Sequence, residues 1–441
     1  DAGAPPPTRD PRGLTPAVLS IQGPTMTEAV VRTLALATQS FLWDGRLVVT
    51  HGLRRDEQAS WLAVPNDFAA LRDARGVAPR PSGINLRAFL PGSRTARGGD
   101  THTRGVVLHA LPWLSLSYNT SNNFQVNAGT RNVYGELLPN PEGEGTDYGL
   151  KLNLLGRRLF LELTRYTNRN RNSADGISNN PAGNFKQFDQ LWIGVSELTG
   201  DVKYLTSPYS TINTVWQDVV TTESRGHEFS LTANPHPRWR LTLNGSRRGD
   251  NTTSARGVYI NRYMAEYIPL IKARPDWMAA PTAGNLSVAQ RVADLEQTLV
   301  NFNAIRNSPS ANFAARWTLN LIQTHEFAPG PLGGFSVGGS LNARGPAISG
   351  FAVDARNVLD PARPYHAPAH ATLGAWVTYR RKLLRQRVDW RLQVNVRNVL
   401  DRHTLYPLVT VDRRDGRNTP EVVIFNLREP RTFQFTNSFR F

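Results

Sequence analysis

The chain has 441 residues, no cysteine and a formal net charge of +16. Zero cysteine excludes both a disulfide-stapled framework and a thiolate metal site. Charged residues make up 20% of the chain, and no run of about 18 apolar residues occurs, which excludes a membrane-spanning helix. A strand needs only about 9–11 alternating residues to cross a bilayer, so a membrane protein built of strands stays open. So basic a chain raises nucleic acid as a partner. The cationic residues, most of them arginine, are spread over turns and loops and form no single stripe, so nucleic acid is not expected. No break in composition divides the chain into modules.

Residues 1–24 are rich in proline and read as irregular exposed loop. Beyond them the chain repeats one unit, a pair of alternating strands joined by a tight turn and followed by a long polar connection. The first pair covers residues 31–42 and 46–55 around Asp44-Gly45, a strong hairpin signal. The second covers 101–110 and 114–119, turning at Leu111-Pro112-Trp113. The third covers 147–154 and 159–167, turning at Gly156-Arg157, and the fourth 221–233 and 238–246, turning at Pro235-His236-Pro237. The fifth covers 317–327 and 335–342, and the sixth 371–379 and 388–399 across a basic turn at 380–387. A last strand, 431–441, stands alone.

Successive side chains of a strand point to opposite faces. In the last strand Phe433, Phe435, Phe439 and Phe441 share one face, and Thr432, Gln434, Thr436, Ser438 and Arg440 the other. Trp239, Leu241 and Leu243 alternate with Arg240, Thr242 and Asn244, and Trp390, Leu392, Val394 and Val396 with Arg391, Gln393, Asn395 and Arg397. Alternation alone does not say whether the polar face meets solvent outside a sandwich or water inside a barrel. Tight turns at one end and long connections at the other are the asymmetry of outer-membrane barrels, and soluble domains rarely carry several loops beyond about 15 residues. The expected fold class is therefore all-β, an antiparallel transmembrane β-barrel of about thirteen strands with short helices in its long loops.

Within those loops, Phe185, Phe188, Leu191 and Trp192 are spaced helically in 184–197, and Val288, Val292, Leu295, Leu299 and Phe302 form an amphipathic stripe in 287–305. The expectation is a helix laying that stripe on the barrel rim. Residues 346–368 read as irregular exposed loop. The loop aromatics Trp61, Trp192, Tyr204, Tyr209, Trp216, Tyr259, Tyr263, Tyr267 and Trp277 are candidates to stack on a ligand; the competing role is to pack the loops together. Trp113, Trp239 and Trp390, each near a tight turn, read as an interfacial girdle. The basic cluster Arg380, Arg381, Lys382, Arg385 and Arg387 reads as a solvated or headgroup-facing turn.

No catalytic pattern emerges. The nine histidines are scattered, without the H-E-x-x-H or G-x-S-x-G spacing of metalloproteases and hydrolases. His51 and His109 sit in alternating strands as polar residues. His366 and His370 have helical spacing, but Pro368 between them opposes the helix. Asp147 and Glu162 flank a turn, where carboxylates are ordinarily solvated or paired. No metal, cofactor or enzymatic activity is expected.

Asn395-Val396-Arg397-Asn398-Val399-Leu400-Asp401-Arg402 resembles the N-x-x-N-L-F-D-K segment near the end of TonB-dependent outer-membrane receptors. Glu429-Pro430-Arg431-Thr432-Phe433 and the terminal Ser438-Phe439-Arg440-Phe441 resemble that family's final strand, and Gly52-Leu53-Arg54-Arg55-Asp56 its G-L-R-Y-D strand end. Val399-Leu400 stands for Leu-Phe, and Arg55 for an aromatic. The family has a 22-stranded barrel around an N-terminal plug and imports scarce ligands with energy from TonB. The resemblance implies bacterial outer-membrane localisation, a small-molecule or glycan ligand, no cofactor, and coupling to TonB through a plug not recognisable here. It implies that residues 31–441 are the C-terminal part of such a barrel and residues 1–30 part of an extracellular loop. It also implies that Phe433, Phe435, Phe439 and Phe441 signal to the barrel-assembly machinery. Outer-membrane lipid and lipopolysaccharide are expected partners of the basic strand ends. The alternative is a soluble or surface all-β binding or adhesion module that holds a polymer in its long loops; it requires the aromatic faces to converge on a packed interior.

Overall fold

The computed structural model describes residues 27–62, 94–127, 129–177, 184–210, 216–249, 252–306, 315–385 and 387–441. The expected loop at 1–30 lies almost wholly outside the described residues. The chain divides into two compact units, residues 1–34 with 56–99, and residues 35–55 with 100–441. In the described part of the first, Thr33 Oγ1 donates to Asp56 Oδ1 at 2.6 Å.

Thirteen strands form one sheet path: β1 (Thr27–Leu42), β2 (Leu47–Leu62), β3 (Thr95–Leu111), β4 (Leu114–Phe124), β5 (Glu142–Leu154), β6 (Leu159–Gly176), β7 (Gln217–His236), β8 (Trp239–Arg248), β10 (Trp317–Glu326), β11 (Phe335–Arg344), β14 (His370–Leu383), β15 (Val388–Arg397) and β18 (Thr432–Arg440). The short β9 (Thr252–Ser254) pairs with β7 off this path. Chain neighbours pair antiparallel, and the path keeps sequence order throughout. All six expected hairpins are present, most strands running longer than expected, while β10 ends at Glu326 and β15 at Arg397, short of the expected 327 and 399. The basic segment is corrected: Arg380, Arg381 and Lys382 continue β14, paired with Arg391, Trp390 and Asp389, and the turn itself is at Leu384 and Arg385, both with positive φ.

Two continuous rows arise from this register. Leu114, Leu152, Leu161, Leu231, Leu243, Leu321, Leu341 and Leu373 are each directly opposite the next, across eight strands from β4 to β14. One residue along every strand, Ser115, Lys151, Glu162, Ser230, Asn244, Asn320, Asn342 and Thr372 form the matching polar row. Polar neighbours bond along it: Lys151 Nζ is 2.9 Å from Glu162 Oε1, Ser230 Oγ donates to Asn244 at 2.8 Å, and Asn342 donates to Asn320. A one-residue slip in any strand would put a leucine among the amides, so the two rows fix the register.

The long connections fold too. They hold α1 (Gln187–Thr199), α2 (Val258–Lys272), α3 (Pro275–Met278), α4 (Val288–Ile305) and the hairpins β12 (Ala347–Val353) with β13 (Leu359–Ala367) and β16 (Tyr406–Asp412) with β17 (Pro420–Asn426). Segment 346–368 is thus a hairpin, against the expected irregular loop. Pro361, Pro364 and Pro368 obscured it, because proline in a strand is tolerated only where no ladder N–H is needed. Helix α4 starts at a capping box: Ser287 Oγ accepts from Gln290 N–H at 3.2 Å, and Gln290 Oε1 from Ser287 N–H at 2.7 Å. Its stripe residues Val288, Val292, Leu295 and Phe302 are buried among α1, α3 and β13. The rim docking expected for this helix is replaced by packing within the loop core.

Candidate functional site

The buried apolar cluster belongs to the inserted segments. Phe185, Phe188, Leu191 and Trp192 from around α1, Tyr263, Met264 and Ile268 from α2, and the α4 stripe meet with Trp216 and Trp277. None of the leucines of the long row is in it. Several apolar side chains of the sheet face are open: Leu116 is 45% exposed, Leu163 41%, Val377 44% and Phe435 72%. The apolar faces therefore do not converge on a packed interior, which the soluble alternative requires.

The candidate ligand-stacking aromatics divide on this point. Trp192, Trp216, Tyr263 and Trp277 are buried in the loop core, with no face left to stack on a ligand. Trp192 Nε1 donates to Tyr263 Oη at 3.0 Å, Tyr263 Oη donates to the Tyr209 carbonyl at 2.5 Å, and Trp216 lies stacked on Phe188 at 5.8 Å. Burial pushes the Tyr263 hydroxyl far above its ordinary value, so it stays a donor. For these four the ligand expectation is corrected to packing. Tyr259, Tyr204, Tyr209 and Tyr267 are only half buried, while the Trp61 side chain lies outside the described residues. The four-residue spacing of Tyr259, Tyr263 and Tyr267, in phase with Ile260, Met264 and Ile268, marks α2 and went unread as a helix signal.

At the tight-turn end, Trp113 (46% exposed), Trp239 (39%) and the half-buried Trp390 are joined by residues that sequence reasoning missed. Trp43 is 68% exposed at the β1–β2 turn, and Phe335, Tyr379 and Trp390 form a chain of ring contacts at 4.5 and 5.7 Å. Amphipathic rings at strand ends suit a membrane–water boundary. In β18, Phe433, Phe435 and Phe439 lie opposite Val396, Val394 and Trp390 on this apolar face. Asn437 interrupts them, and there Trp390 Nε1 donates to Asn437 Oδ1 at 2.7 Å. The lone polar residue of the aromatic face thus satisfies the indole N–H.

A second row crosses the same face nearer the long connections. Tyr118, Tyr148, Arg165, His227, Arg247 and Trp317 are each directly opposite the next, on β4 to β10. Tyr118 and Tyr148 touch at 5.2 Å, and the side chains of Arg165, His227 and Arg247 are exposed.

The Asn395–Arg402 segment works as a latch. Asn398 has φ +47° and is 6% exposed. Its Nδ2 donates to the Glu429 carbonyl at 2.9 Å and the Arg402 carbonyl at 3.2 Å, and its Oδ1 accepts from Arg402 N–H at 3.2 Å. Asp401, also with positive φ, accepts the Arg431 N–H at 2.9 Å, a bond that holds its carboxyl below the ordinary range. Asn and Asp tolerate this left-handed conformation better than other side chains do. Asn395 stays on the ladder opposite Gln434, and Leu400 is 49% exposed. Pro430 directly precedes the N–H that Asp401 receives.

No group of three or more potential metal ligands occurs among the described residues. His109 Nδ1 is 2.9 Å from Ser115 Oγ, and Glu162 pairs with Lys151. His366 and His370 lie on separate strands, β13 and β14, with the His370 ring against Tyr406 at 4.6 Å.

No protein-family model and no curated protein sequence matches the chain. Among solved structures it is similar to BauA, the ferric preacinetobactin receptor of Acinetobacter baumannii, with 14% identity and a TM-score of 0.51 over 94% of this chain and 43% of that one. It is similar to the closed form of Fiu, the ferric-catecholate import receptor of E. coli K12, with 15% identity and a TM-score of 0.50 over 94% and 45%. The ferripyoverdine receptor of the outer membrane of Pseudomonas aeruginosa aligns over 94% and 48% at 13% identity, with a TM-score of 0.47. The chain spans less than half the length of these receptors. The first two likenesses give it the fold of part of a siderophore-receptor barrel, and those two proteins are receptors for ferric chelates.

Proposed function

We propose that this chain is the barrel portion of a TonB-dependent receptor in a bacterial outer membrane, which takes up a scarce ligand with energy coupled through a plug. The reading places the chain from β1 onward, residues 27–441, in the barrel, against the expected boundary at 31, and the residues before it in an extracellular loop. The observation that carries it is the half-buried leucine row, outside the packed core and backed by a hydrogen-bonded polar row. Such a sheet is stable with lipid on one side and water on the other. The latch at Asn398 and Asp401 and the aromatic closing strand support the same assignment.

Among ligand classes, a ferric siderophore stands ahead of a vitamin or a glycan, because the receptors of like fold carry ferric chelates. The half-buried tyrosines Tyr204, Tyr209, Tyr259 and Tyr267 are the contacts this reading offers. Deleting the gene and measuring uptake of iron-loaded chelates, with and without an uncoupler of the proton-motive force, tests it. Loss of an uncoupler-sensitive uptake is the expected result. Unchanged uptake of every chelate, vitamin and glycan tried would overturn it.

A further inference from the structure

The row holding Arg165, His227 and Arg247 has a feature that lipid-facing rows lack. Both arginines are exposed, and neither side chain has a hydrogen bond or ion pair to a described residue. They flank an apolar groove of about 600 Å³ that Leu150, Leu163, Phe229 and Leu319 line from below. Phe229 covers Gly245 so closely that a Cβ there would fall 2.4 Å from its ring, which keeps the groove shallow and smooth. Tyr148 on one side and Trp317 on the other close the row with amphipathic rings.

Height decides what the row meets. Arg247 stands eight residues along β8 from Trp239 at the tight-turn end. That is about 27 Å of strand, or about 20 Å of height once a tilt of about 40° is allowed for. An outer-membrane apolar band is about 25 Å tall, so the guanidinium groups reach its far edge. This is the edge nearest the long connections. In the orientation of such barrels it belongs to the outer leaflet.

We infer that this row and groove form a binding site for a phosphorylated glycolipid of the outer leaflet, with acyl chains in the groove and a phosphate held by Arg165 and Arg247. The inference rests on the outer-membrane reading above. Unpaired guanidinium groups above an apolar groove are complementary to a phosphate above acyl chains, and arginine binds phosphate in two-pronged geometry. Desolvated at the headgroup level, two arginines two strands apart, about 10 Å, would repel each other unless an anion lay between them. His227, directly opposite both, is placed to donate a further bond.

The test uses the full chain folded into phosphatidylcholine vesicles and offered diphosphorylated lipid A, its dephosphorylated form, or phosphatidylglycerol. R165Q/R247Q is the test variant. R240Q, on the polar face opposite Thr324, is the control. Retained lipid is measured by mass spectrometry, and folding by resistance of the compact form to detergent at room temperature. The expected result is at least tenfold less lipid A on R165Q/R247Q than on the unaltered chain and R240Q, with equal folding. Removing the phosphates should give the same loss. Equal retention by R165Q/R247Q would overturn the site, as would phosphatidylglycerol retained as well as lipid A. If unaltered chain and variants alike failed to enter vesicles, the membrane reading would fall and the site with it.

Discussion

Trp390 donates its indole N–H to Asn437 Oδ1 at 2.7 Å, joining the tight-turn girdle to the closing strand. The pair explains why the aromatic face of β18 carries one amide between Phe435 and Phe439. An indole at a membrane boundary keeps its ring in the apolar layer and needs an acceptor for its N–H. Asn437→Leu removes that acceptor and should cost about 0.5–1.5 kcal/mol, measured by urea unfolding from vesicles. Asn437→Gln, which restores an acceptor, should recover part of it.

Substitutions in the two rows should differ in kind. Leu243→Arg puts a charge in the middle of the apolar row and should cost about 2–4 kcal/mol in a bilayer. Asn244→Arg, one residue on, faces the polar row beside Ser230 and Asn320 and should cost far less. Similar costs for both, measured by the same unfolding titration, would contradict the two-faced sheet.

The latch should be sensitive to acid. The Arg431 N–H holds the Asp401 carboxyl below its ordinary range, so its contribution is present above the unfolded value of about 3.9 and lost as pH falls through the depressed folded value. Hydrogen exchange at the Arg431 amide should therefore stay slow through neutral and mildly acidic pH. It should accelerate at neutral pH in Asp401→Ala, and Asn398→Ala should loosen the same segment by freeing the Glu429 carbonyl.

The loop core should show the opposite trend. Asp218 lies in β7 near the long connections, far along the strand from the leucine and polar rows, and accepts the N–H groups of Val219 at 2.7 Å and Ile260 at 2.8 Å. Burial nevertheless pushes its carboxyl up to about 6. The folded value exceeds the unfolded one, so its favourable contribution is complete below about 4 and lost as pH rises through about 6. Asp218→Asn should flatten this part of the pH dependence of thermal unfolding, followed through the buried Trp216. An unaltered slope between those values would contradict the assignment.

Strand periodicity carries its own physics, and the tight-turn hairpins and the two faces were accordingly legible in the sequence. Pairing partners set Leu161 against Leu231 as the alternation requires. The loops were harder to read, because their order comes from contacts distant in sequence. Trp192 meets Tyr263, and Gly350 passes so close to the Thr410 carbonyl that a Cβ would fall 1.8 Å from it. Nothing local to Gly350 signals that the β12–β13 and β16–β17 hairpins meet there, where Tyr365 Oη donates to Asp412 at 2.7 Å. Four aromatics that were candidates for ligand contact or loop packing proved to be core for the same reason: a large ring in a polar loop reads alike whether it is covered by a ligand or by another loop.

The central claim is that the leucine row faces lipid and the amide row faces water. The absence of native cysteine makes a direct measurement possible, with a fluorescent label on single cysteines at Leu231, Leu243 and Leu321 or at Ser230, Asn244 and Asn320. In vesicles with brominated lipid and aqueous iodide, the account predicts that bromine quenches the three labels of the leucine row and iodide the three of the polar row. Leucine-row labels shielded from both quenchers would place that face in a packed protein interior and contradict it.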